Sequence, residues 1–162
     1  MSIAENLQKI KTSLPSSVCL VAVSKTKPVE MIQAAYDAGQ RVFGENKAQE
    51  MQSKAEKLPT DIEWHMIGHL QSNKVKYIAP FVHLIHSVDK LSLLKEINKR
   101  AAQNNRVIAV LLQIHIAKEE SKFGLDETEL LELFESDNFA EFKNTQVVGL
   151  MGMATFTENT AQ

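Results

Sequence analysis

Cysteine is nearly absent from this sequence. Cys19 is the single one in 162 residues, which rules out an internal disulfide framework and points to a reducing, cytoplasmic setting. Because Cys19 lies inside an apolar run, it is expected to be a small buried hydrophobe. Long hydrophobic runs are missing too. No stretch approaches the length of a membrane span, and the segment Met1-Ser2-Ile3-Ala4-Glu5-Asn6 lacks the apolar core of a signal peptide. Neither charge sign dominates: 18 basic and 20 acidic residues are interspersed for a net charge of −2, which gives no electrostatic case for nucleic acid. Glycine-rich phosphate turns are absent, with no G-x-G-x-x-G and no G-x-x-x-x-G-K-[ST]. The five histidines form no H-E-x-x-H pair, and His65 and His69 fall across a strand-to-loop change, so spacing indicates no zinc site. The absence of a G-x-S-x-G elbow argues against serine hydrolase chemistry.

What is present is a soluble-protein composition, 44% hydrophobic and 23% charged, at a length suited to one domain. Strand-like and helix-like segments alternate almost without interruption. Ile3, Leu7 and Ile10 predict a lead-in helix to Thr12, and Val18 to Ser24 reads as a first buried strand. Pro28 opens a helix with Val29, Ile32, Ala35 and Tyr36 on one face, and Gly39 stops it. Arg41 to Gly44 is a second strand. It is followed by a helix with Ala48, Met51, Ala55 and Leu58 inward and a Glu50/Lys54 pair expected outside. Strands are predicted over Ile62 to Ile67, His83 to Val88, Val107 to Leu112 and Gln146 to Met151, with helices between them. Asp89 is a candidate helix cap, and Asp126 with Glu129 forms a capping box. The reading is α/β, either a doubly wound open sheet or a (β/α)8 barrel cut short after about six βα units. A complete barrel needs eight strands and about 250 residues.

Lys25 stands at the carboxyl end of the first strand, where α/β proteins place their chemistry. An amine held there and shielded by apolar walls has its charged form disfavoured and becomes a Schiff-base nucleophile. A solvated strand-end lysine is the commoner case, so position alone does not decide. Other polar residues collect at strand ends: Glu45 and Asn46, His65, Gly68 to Lys74, Ser87, Asp89, His115, and Ser121 to Gly124. In a parallel sheet these converge on one rim. Taken singly, Asn46 and Asp89 are also explained as helix caps, His65 as a satisfied core histidine, and Lys74 and Lys76 as a solvated helix face.

Five ordered blocks then carry a resemblance: Val21-Ala22-Val23-Ser24-Lys25-Thr26-Lys27-Pro28, Phe43-Gly44-Glu45-Asn46, Trp64-His65-Met66-Ile67-Gly68-His69-Leu70-Gln71-Ser72-Asn73-Lys74, Glu119-Glu120-Ser121-Lys122-Phe123-Gly124 and Gly149-Leu150-Met151-Gly152-Met153. The chain resembles the pyridoxal phosphate homeostasis protein family, single-domain relatives of the alanine racemase N-terminal barrel, over essentially all of 1–162. The resemblance implies a barrel of PLP fold type III with pyridoxal 5′-phosphate (PLP) held as an aldimine on Lys25. It implies that Asn46 lines the cofactor's ring edge, that His65 sits near the ring, and that Met151 forms a further wall. Lys122 would lie near the pocket mouth, passing or holding a second PLP. Where the family often carries asparagine in the fifth strand, this chain has His115. The family's Ser-x-Gly-Met-Ser and Arg-Ile-Gly blocks, which supply the phosphate cradle and an arginine at the pyridine nitrogen, do not occur in this sequence. The C-terminal strands that would bear them are therefore expected to be absent.

PLP is an electron sink, and racemases on this barrel pair the lysine with a tyrosine from a second domain. This sequence has two tyrosines, Tyr36 and Tyr77, both on predicted helices. The expected function is accordingly a PLP carrier with no catalytic residues, a monomer whose partners are PLP and PLP-dependent apo-enzymes. A PLP-dependent amino-acid racemase is the alternative, and a Schiff-base aldolase a remote third.

Overall fold

Short β-branched runs alternating with amphipathic segments predict parallel strands joined by right-handed helical crossovers. The computed structural model, which describes residues 2–116, 124–135 and 141–153, has that arrangement. Strands β1 (Ala22–Val23), β2 (Val42–Glu45), β3 (Glu63–Met66), β4 (Leu84–Val88), β5 (Ile108–Ile114) and β6 (Thr145–Gly152) form one sheet. Their spatial order is their sequence order, and every neighbouring pair is parallel. Helices α1 (Ile3–Ser13), α2 (Val29–Asp37), α3 (Ala48–Ala55), α4 (Val75–Ile78), α5 (Leu91–Gln103) and α6 (Glu127–Glu135) accompany them, α4 after a short 3-10 turn at Ser72–Lys74. A doubly wound sheet reverses its strand order at a switch point. Sequential order without reversal keeps the helices on one side, as in a barrel wall.

The two faces of the sheet differ accordingly. Phe43, Trp64, Met66, Ile85, Ile108, Val110 and Leu112 are buried against the helices, where Val75, Ile78, Leu93, Leu94, Ile97 and Ala101 meet them. The other face carries one row that register traces across all six strands: Val23, Gly44, His65, Leu84, Ala109 and Gln146. This concave face is the more open one, with Val23 and Gln146 exposed. Local rules fix several joints. Gly39 ends α2 at φ 91°, a left-handed conformation that glycine adopts at least cost. The Asp126–Glu129 capping box forms as predicted, with both reciprocal bonds present. Arg106 donates to the carbonyls of Ala79 and Val82 and so closes the end of α4.

Four expectations are corrected. The first strand is only two residues long, because β2 pairs with Ala22 and Val23 alone. Cys19, outside that pairing, is exposed and not buried. Asp89 does not cap α5: the N-cap position is Lys90, with no side-chain bond, and Asp89 pairs with His69 instead. The Glu50/Lys54 pair exists, but it is not a surface pair, because Lys54 is buried.

Candidate functional site at the carboxyl rim

Lys25 follows β1 on the turn Ser24-Lys25-Thr26, at the carboxyl rim of the sheet, and its side chain is exposed. The apolar shielding expected around it is therefore not provided. The turn itself is tightly held. Thr26 has φ 64°, an unusual value for a β-branched residue. Its amide donates to Glu50 Oε1 at 2.7 Å. On the other side of Lys25, Ser24 Oγ donates to Glu45 Oε1 at 2.6 Å, and the Ser24 carbonyl accepts from Lys54 Nζ at 2.8 Å. Lys54 Nζ also meets Glu45 Oε1 and Glu50 Oε1, each at 2.7 Å. Glu45 is fully buried and Lys54 nearly so, so this ammonium with its carboxylates forms a charged network in low dielectric. Lys54's hydrogen bond, followed by that from the Thr26 amide, holds the Glu50 carboxyl below its ordinary range. Both neighbours of Lys25 are thus fixed by side chains from β2 and α3.

The next two strands complete this side of the rim. Asn46 follows β2 and does not cap α3, whose N-cap is Lys47 without a side-chain bond. The loop after β3 passes so close that a Cβ on Gly68 would lie 2.7 Å from Asn46 Cα and from its carbonyl oxygen. Gly68 is therefore required for the approach. Ser87 Oγ donates to the Gly68 carbonyl at 2.6 Å, and His69 Nδ1 lies 3.1 Å from Asp89 Oδ2. These bonds tie the end of β4 to the same loop. A small cavity of about 160 Å³ opens here, lined by Asn46, Met66, His69, Leu70, Gln71 and Lys74 among others.

His65 lies on the concave face, in register with Val23 and hence two positions below Lys25. Its Nδ1 is 3.0 Å from His86 Nε2. Burial, with the His86 and His83 rings beside it, pushes its pKa down to about 4, so the ring is neutral near pH 7. Met151, on β6, pairs with Gln113 of β5, at the opposite edge of the sheet from Lys25. The structure thus brings Lys25, Asn46 and the Gly68–His69 loop together at one rim, with His65 beneath and Met151 across. Lys122, with the rest of Glu119 to Phe123, lies outside the described residues.

Sequence reasoning missed the support of the turn. Glu50 and Lys54 were visible as an i,i+4 pair, and Glu45 stood inside a quoted block. Nothing in their spacing showed that all three converge on Ser24 and Thr26. Chemically, the arrangement presents a primary amine on a fixed turn beside a carboxamide, above a partly apolar concave face.

Comparison with known proteins agrees with this geometry. The family described as alanine racemase, N-terminal domain, matches residues 1–161. A pyridoxal phosphate homeostasis protein of Aquifex aeolicus is 46% identical over 141 residues, covering 86% of this chain and 61% of that protein. One of Vibrio alginolyticus is 38% identical over 167 residues, covering 94% of this chain and 71% of the other. The chain therefore spans less than two thirds of the Aquifex protein. Among solved structures, PipY of Synechococcus elongatus with PLP bound superposes with a TM-score of 0.87 at 37% identity, over 99% of this chain and 74% of that one. Alanine racemase of Bartonella henselae superposes with a TM-score of 0.70 at 17% identity, over 93% of this chain and 42% of the racemase, a likeness of fold alone.

Proposed function

The chain belongs to the alanine racemase N-terminal domain family, and from that membership we propose that residues 1–162 form one PLP-binding domain that carries the cofactor and hands it on to PLP-dependent apo-enzymes. The observation that carries this reading is the Lys25 turn, a rim amine whose two neighbours are fixed by buried charged groups. The names of the relatives, and the PLP bound to PipY, support it.

When bound, PLP supplies an aldehyde that reacts with a primary amine and a ring that withdraws electrons from whatever is attached. The residues present fit the aldehyde end of that group. Lys25 offers an accessible amine for covalent attachment, and the rigid turn fixes where Nζ is presented. Asn46 offers a carboxamide to the ring edge, held in place by the Gly68 contact. His65, neutral and on the row below, would form the floor and Met151 a wall, and the resemblance assigns Lys122 to the mouth. Binding is favoured over turnover because both tyrosines of the chain lie on helices, Tyr36 on α2 and Tyr77 on α4, and neither stands at a strand end. Tyr36 donates to Asp61 at 2.7 Å, and Tyr77 lies beside Lys74 and Lys76. The protein is read as a cytoplasmic monomer. Its single thiol supports the compartment, and among the described residues no helix is long and apolar enough to cross a membrane.

The test is a PLP titration with borohydride trapping and peptide mapping. One adduct, on Lys25 and lost in Lys25→Ala, is expected, with no solvent deuterium entering the α-carbon of added amino acids. Labelling scattered over surface lysines would overturn the binding reading, and deuterium incorporation would overturn the carrier reading.

A further inference from the structure

At the amino ends of β3 and β4, on the concave face and away from the Lys25 rim, three metal-ligating side chains converge. Glu63 and His65 are two residues apart on β3, so strand alternation puts them on one face. His83 enters beside them just before β4, its amide donating to the Trp64 carbonyl at 2.9 Å. Each of the three offers one ligand atom, and these atoms lie within 4.8 Å of one another. Glu63 Oε2 and His83 Nε2 are 3.7 Å apart.

His65 supplies a second, independent observation. It is 6% exposed. His86 engages its Nδ1, while its Nε2 is buried with no hydrogen-bond partner. An imidazole with one nitrogen oriented by a neighbour and the other left bare is how proteins present a histidine to a metal. The other two ligands are about half exposed, which gives an ion a way in. The His83 ring now lies within 5° of parallel to His65, with centroids 5.6 Å apart. Exposed as it is, it can turn its in-plane lone pair toward an ion held by the other two.

We propose that Glu63, His65 and His83 form a binding site for a divalent transition ion of the zinc class, with water in the fourth position. Two imidazoles and one carboxylate suit zinc and its neighbours, whereas calcium and magnesium call for oxygen ligands. The ion would tie β3 to β4; the site shares His65 with the proposed cofactor floor but uses neither Lys25 nor Asn46.

The experiment uses the untagged, cofactor-free chain, titrated calorimetrically with zinc chloride and followed by thermal unfolding. One zinc per chain is expected, with a rise in Tm, because an ion that binds only the folded state stabilises it. Both Glu63→Gln and His83→Ala, at exposed positions that leave the core intact, should weaken binding, the histidine change by at least about tenfold. Cobalt(II) substituted at the site should give the absorption of a four-coordinate ion. Failure of the wild-type chain to bind stoichiometric zinc would overturn the proposal, and so would zinc binding that neither substitution weakens.

Discussion

Thr26 holds φ 64° without being glycine, and a conformation of that kind persists only where its surroundings over-determine it. The surroundings here are Glu50 on its amide, and Lys54 and Glu45 on Ser24, two residues earlier. Lys54 is the keystone, because Glu45 is fully buried and depends on that ammonium for compensation. Lys54→Met should therefore cost about 3–5 kcal/mol of stability, the scale for leaving a buried charge unpaired, measured by urea unfolding. Glu50→Gln should cost less, because Glu50 is partly exposed and a glutamine oxygen still accepts from Thr26. The pH dependence has a definite sign. A carboxyl held below its ordinary range in the fold contributes stability that is fully present above its unfolded value of 4.5 and lost as pH falls through the lower folded value. Urea midpoints measured down to about pH 3 should fall more steeply for the wild type than for Glu50→Gln. Parallel curves would show that Glu50 is not a source of the acid sensitivity. Lys25 was legible in the sequence because a strand end is a matter of position. Its support was not, because the burial of Lys54 depends on Glu45, which belongs to another element.

The elements pack through contacts that tolerate little change. Gly68 lets the loop after β3 run against Asn46, and the atoms a Cβ would strike are mostly backbone, which cannot swing aside. Gly68→Ala should cost about 1–3 kcal/mol as overpacking, and it should weaken PLP labelling of Lys25 by displacing Asn46. Retained labelling in a destabilised Gly68→Ala chain would remove Asn46 from the cofactor site. Gly39→Ala meets no atoms but has φ 91°, so about 1–2 kcal/mol is expected from backbone strain alone, with labelling unchanged. Strand and helix alternation was legible because each apolar run is short and each amphipathic face is regular. The length of β1 was not: Val18 to Val21 are as apolar as a strand requires, but pairing needs a neighbour in register, and β2 reaches only Ala22 and Val23. The Glu63–His65–His83 cluster was hidden for a related reason. Its members sit on β3 and immediately before β4 and come together only through the β3–β4 register, so no spacing rule detects them.

Across the whole molecule, six parallel strands in sequence order define a barrel wall whose carboxyl rim carries the amine and whose amino end carries the histidine cluster. The Ser-x-Gly-Met-Ser and Arg-Ile-Gly blocks that the family resemblance assigns to phosphate and pyridine nitrogen do not occur in the sequence. In the proposed site Lys25 and Asn46 serve the aldehyde and ring edge, so most of the recognition that residues 1–162 would offer is blind to the phosphate. A phosphate held by two or more charge-assisted hydrogen bonds would contribute about 3 kcal/mol or more, equivalent to roughly a hundredfold or more in affinity. The chain should therefore discriminate poorly between PLP and pyridoxal, by no more than about tenfold at Lys25. Parallel titrations of both aldehydes, trapped and quantified on the Lys25 peptide, measure this directly. PipY, which contains residues beyond the 74% this chain covers, provides the comparison, and its preference for the phosphorylated form should be larger. Strong preference for PLP in this chain would mean that the rim between β1 and β6 builds its own anion site, and the rim basic residues Lys27, Lys47 and Lys74 would then be the first to substitute.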